Sequence, residues 1–80
     1  MITADRRSIH TDAAGHMYTE ASTLGLRAGE WPETLAVPMR SGGTLLFDRS
    51  HLAMVDVEGD LNGYRYFGRD NVHTITVYND

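Results

Sequence analysis

The chain reads as mainly β: a small antiparallel sheet of five or six short strands, with little or no helix. The sheet is a meander, a curled sheet or a small barrel or sandwich. Three observations lead there. Residues 55–78 alternate apolar and polar side chains with a period of two, the pattern of a half-buried strand set. Turn signals recur at regular intervals, at Ser41-Gly42-Gly43, Asn62-Gly63 and Gly68-Arg69-Asp70-Asn71. No segment carries the 3.6-residue apolar period of an amphipathic helix.

Taken in chain order, residues 1–15 mix polarities without a period and read as an N-terminal tail or edge segment. Residues 16–80 read as a single β domain. His16 to Ser22 alternates weakly and reads as a short strand. Leu24 to Glu33 carries Gly25, Gly29 and a Trp31-Pro32 pair. It reads as an ordered loop, because proline pushes the residue before it out of helical geometry. Leu35 to Met39 reads as a strand with Leu35, Val37 and Met39 on one face. Pro38 cannot donate to a ladder, so that strand belongs at an edge or ends early. Thr44 to Asp48 reads as the next strand, and Arg49-Ser50-His51 as the turn into a meander.

In the meander, Asn62-Gly63 is the expected hairpin turn, since a type I′ turn needs positive φ at both positions and Asn and Gly tolerate it best. The second turn then sets Phe67 opposite Val72, Tyr66 opposite His73, Arg65 opposite Thr74 and Tyr64 opposite Ile75. One face collects Val55, Val57, Leu61, Tyr64, Tyr66, His73, Ile75 and Val77 as the expected core. The other collects Met54, Asp56, Glu58, Asp60, Arg65, Phe67, Val72, Thr74, Thr76 and Tyr78. That second face is the one left for function.

Composition narrows the function classes. The chain has 80 residues, no cysteine and a formal net charge of −4. A chain of this size buries only about 60–65% of its unfolded surface, so association with another chain is the expected support. Without cysteine there are no disulfides and no thiolate metal sites. All seven basic residues are arginine, and with the spread-out acids they argue against a nucleic-acid surface. High Arg, Ala, Gly and Asp usage suggests a bacterial source. No signal-like or membrane-spanning apolar run is present, which leads to a cytoplasmic expectation without membrane partners.

Candidate chemistry is sparse. Asp56, Glu58 and Asp60 alternate along one stretch, followed by Asn62-Gly63, and partly match a calcium loop. The match fails where a bidentate Glu is required, because Arg69 stands there. The four histidines, His10, His16, His51 and His73, lack metal-ligand spacing. His73 beside Tyr66 is a conceivable acid–base pair. No nucleophile motif and no phosphate loop is present, and no cofactor is implied. Trp31 is either a lid over the core or an anchor for a partner.

The reading is therefore a non-enzymatic β domain that acts through protein–protein contact, as a homo-oligomer or with a protein partner, with Arg65 and Trp31 as candidate contact residues. The first alternative is a divalent-cation-binding domain using Asp56, Glu58 and Asp60, with Asn62 as a further ligand. The second is a small enzyme using His73 and Tyr66.

Overall fold

The computed structural model describes residues 1–80. It is one seven-stranded mixed sheet: β1 Ile2–Thr3, β2 His10–Thr11, β3 Met17–Glu20, β4 Thr34–Pro38, β5 Thr44–Val55, β6 Leu61–Gly68 and β7 Thr74–Tyr78. Single 3₁₀ turns at Arg6–Ser8 and Ser22–Leu24 are the only helical elements. The strand order across the sheet is β1-β4-β5-β6-β7-β3-β2. Neighbours are antiparallel except β1–β4 and β3–β7, which are parallel. The expectation of five or six antiparallel strands is thereby corrected. The extra strands are two-residue edges, too short to show a period, and the parallel β3–β7 pair joins distant parts of the chain without a local turn to announce it.

The sheet has to curl. From Thr3 to His10 the chain has seven Cα steps and reaches at most about 25 Å. A flat seven-stranded sheet would put its two edges about 29 Å apart. Because β1 and β2 are those edges, the short N-terminal segment between them draws the sheet round on itself. Ala4 N–H bonds Ala36 O at 2.8 Å, and the buried Thr19 Oγ1 donates to Ser8 O at 2.7 Å. Residues 1–15 thus strap the two edges of the sheet together.

The enclosed face is the core. Leu35, Val37, Phe47, Tyr66, Ile75 and Val77 are buried, with Ala4 and Ala21 closing the gaps. Their register follows period two: Leu35 opposes Phe47, Tyr66 opposes Ile75 and Tyr64 opposes Val77. Tyr66 is wholly enclosed, and its hydroxyl donates to Pro32 O at 2.5 Å, which satisfies its one polar atom.

Two details of the expected meander are overturned. Asn62-Gly63 lies inside β6, and the β5–β6 turn is Asp56–Asp60. Asp56-Val57-Glu58-Gly59-Asp60 makes a type I turn with Gly59 at φ 90°. Asp56 N–H bonds Asp60 O, and Gly59 N–H bonds Asp56 O. Met39–Gly43 and Asp12–His16 repeat the pattern, with glycine again fourth. Gly63 serves close packing instead: a Cβ there would lie 2.5 Å from Val77 O. In the second hairpin, Tyr66 pairs with Ile75 and Tyr64 with Val77, a shift of two residues from expectation. A shift of two keeps each side chain on its face.

The shift frees His73 from the strand, and the moved turn takes Val55 and Val57 out of the core. Arg49-Ser50-His51, expected as a turn, lies within the 12-residue β5 as part of a bulged stretch.

Candidate functional site

The structure separates the residues that the sequence grouped. Asp56, Glu58 and Asp60 are on a turn, not on a strand face. Asp56 Oδ1 accepts the N–H groups of Glu58 and Asp60 at 3.0 and 2.9 Å, so it holds the turn together. Asn62 belongs to β6, where its carbonyl accepts Asn79 N–H at 2.7 Å. No group of three or more histidines and carboxylates converges as a metal cage would require.

His73 and Tyr66 are not a pair. Tyr66 is committed to Pro32, and burial pushes its phenol up to about 12. His73 Nδ1 contacts Asp70 Oδ2 in the β6–β7 turn. Asp70 Oδ1 also accepts the N–H groups of His73 and Val72, at 3.0 and 2.9 Å. These bonds, led by the His73 N–H, hold the Asp70 carboxyl at about 2. The pair orders the turn and lines a shallow depression with Ser41 and Thr44, neither of which hydrogen-bonds His73.

Trp31 packs edge-on against Tyr64, with ring centroids 5.0 Å apart. Arg49 lies over the same Tyr64 ring at 5.5 Å and donates to Trp31 O. This cluster closes one end of the core and leaves the indole half-buried. Arg65 sits on the outer face opposite Thr76, and Tyr18 follows Thr76 on the next strand. With Thr74 and Tyr78 these residues line a shallow cleft of about 180 Å³. The face expected to carry function therefore does gather Arg65, Thr74 and Thr76, but without the acidic row.

The most unusual surface is one that residue spacing did not single out. β4 accompanies β5 only from Thr44 to Asp48. Arg49 N–H still bonds Glu33 O at 2.8 Å, and beyond it β5 has no strand on its outer side. The β5–β6 hairpin runs on as a free arm. Ala53 pairs with Tyr64, and Val55 with Leu61, so the face that is core lower down continues along the arm uncovered. Leu52, Val55 and Val57 are 62%, 59% and 96% exposed.

The arm's edge is blunted against ladder pairing. A register shift falls between Arg49 and Ala53, and Ser50 Oγ accepts Leu52 N–H at 3.0 Å. The arm therefore offers apolar side chains rather than a ready strand edge. The signal for it was present in the sequence. Once Asp-x-x-Gly at 56–59 is read as the turn, Val57 falls on its tip, where no core can reach it.

The arm also shows in the overall dimensions. The chain measures 40 × 26 × 22 Å and exposes 5187 Å². A compact chain of this mass exposes about 4,800 Å². Several hundred Å² of extra surface is what a projecting hairpin adds. No helix is long and apolar enough to cross a membrane. No protein-family model matches the chain, and no match is found among curated proteins or solved structures.

Proposed function

We propose that this domain works through protein–protein contact, with the β5–β6 arm engaging a second copy of the chain. The observation that carries the reading is the exposure of three large apolar side chains, Leu52, Val55 and Val57, on a hairpin that outruns its neighbour β4. Twelve of the 80 residues are buried, a small core for a chain without disulfides. Association supplies the missing burial.

The magnitude sets the kind of contact. Covering the exposed part of three aliphatic side chains contributes about 4 kcal/mol, at about 1.5–3 kcal/mol for each complete side chain. Association costs at least that much in lost translation and rotation. The contact is therefore weak, micromolar or weaker, and concentration-dependent.

Light scattering over a dilution series from about 10 µM to about 1 mM brackets that range. The expected result is a mass that rises above 8.9 kDa with concentration. A Leu52→Asp/Val55→Asp variant with an unchanged circular dichroism spectrum is expected to stay at one chain. A wild-type mass of one chain throughout rejects the proposal.

A further inference from the structure

The arm's counterpart lies at the other end of the molecule. β1 pairs only with Leu35 and Ala36, so β4 loses its outer neighbour at Val37. Between this open stretch and the N-terminal strap is a groove of about 380 Å³. Ile9, Met17, Val37 and Met39 line it with apolar surface, and Arg6 and Arg40 bring positive charge to it. No carboxylate lines the groove. Neither arginine enters an ion pair, whereas Arg69 does, with Asp48. Two guanidinium groups with no carboxylate among the lining residues make the groove locally positive in a chain of net charge −4.

The arm's tip has the complementary character. Val57 is the most exposed large apolar side chain in the protein, at 96%. It stands next to Glu58 in a turn that closes with Asp60. The carboxylates of Glu58 and Asp60 make no ion pair. The tip is at the end of β5 and the groove is beside its start, at the Met39–Gly43 turn. Twelve strand residues span about 40 Å, the length of the whole molecule. A tip therefore cannot reach the groove of its own chain.

We infer that the tip of one copy seats in the groove of the next, with Val57 on the Ile9–Met17–Val37–Met39 floor and Glu58 and Asp60 facing Arg6 and Arg40. This rests on the arm being the contact element, and it names the surface that receives it. Such a contact joins two different patches, so it is heterologous and propagates head to tail instead of stopping at a dimer.

The test uses Val57→Asp, which spoils the tip, and Arg40→Glu, which spoils the groove. Arg65→Glu makes the same charge change elsewhere. Each of the first two is expected to weaken self-association at least about tenfold, as loss of a central contact does, and Arg65→Glu to leave it unchanged. Mixing Val57→Asp with Arg40→Glu chains pairs one intact groove with one intact tip. The expected product is a one-to-one complex that grows no further.

If Val57→Asp abolishes association while Arg40→Glu associates like wild type, the groove assignment is overturned and the arm remains. A mixture no better associated than its separate components also overturns it. A wild-type chain that never associates removes the arm and the groove together.

Discussion

Gly63→Ala is the sharpest probe of the fold. The substituted Cβ would sit 2.5 Å from Val77 O, 3.0 Å from Met54 Cε and 3.2 Å from Tyr78 Cα. The methionine can swing aside; the two backbone atoms belong to β7 and cannot move without disturbing the β6–β7 ladder. Overpacking of this kind costs about 1–3 kcal/mol, and backbone clashes place it at the upper end, about 2–3 kcal/mol. For a domain of this size, each kcal/mol moves Tm by about 4–8 °C. The expected loss is therefore on the order of 10–20 °C in a thermal melt followed by circular dichroism.

Gly63→Asn sharpens the comparison, since a larger side chain meets the same obstruction and is expected to be worse than alanine. Gly59→Asn is expected to cost less, about 1 kcal/mol, because φ 90° strains a side chain but the space around it is open and Asn tolerates the left-handed region best. The opposite ranking, with Asn accepted at 63 within about 0.5 kcal/mol, is what a type I′ turn at Asn62-Gly63 would give. That result would refute the β5–β6 register.

Four further outcomes follow from the same geometry. Asp70 is held at about 2 by the His73 and Val72 N–H groups and the His73 ring; Asp12, Asp48 and Asp80 are also lowered, mainly by the His16 N–H, the Arg69 side chain and the Ser22 hydroxyl. Folded values below unfolded ones give stability that is fully present above about pH 4 and is lost as pH falls through about 2. Urea midpoints measured against pH are expected to show that decline, and Asp70→Asn to flatten part of it.

Tyr66 has the opposite sign: its folded value is raised to about 12, so stability is present below about pH 10 and declines as pH rises through about 12. Tyr66→Phe is expected to remove that alkaline decline and to cost about 1 kcal/mol at neutral pH, for the lost bond to Pro32. Asp56→Ala is expected to cost about 1 kcal/mol through the two turn bonds it removes. Millimolar calcium is expected to leave the wild-type Tm unchanged; a calcium-dependent rise that Asp56→Ala abolishes would restore the cation reading.

The mainly β character and much of the central core were legible in the sequence. Tyr66, Ile75 and Val77 were read as core from alternation alone. They survived an error of two residues in register because such a slip preserves faces. The β5–β6 turn was misread because two glycine signals competed. Asn62-Gly63 is the stronger local pattern, but Gly63 is required by the close approach of β7, a nonlocal fact. Asp-x-x-Gly at 56–59 was the correct signal, and Asp12–Gly15 repeats it.

The edges β1 and β2 have two residues each, shorter than any period, so residues 1–15 could be read only as a tail or edge segment. The arm was hidden by the same turn error, which counted Val55 and Val57 as core. The groove brings Arg6 near Arg40 because β1 pairs with the distant β4, and Met17 reaches it because the sheet curls; no spacing along the chain encodes either.

The central claim is that copies of this chain meet through the arm. Amide proton–nitrogen spectra recorded over a dilution series test it most directly, because they locate the contact as well as detect it. Signals from residues 52–58 at the arm are expected to shift or broaden with rising concentration, while those of the buried β7 residues Ile75 and Val77 stay fixed. A spectrum that does not change up to about 1 mM, the top of the light-scattering series, would contradict the account.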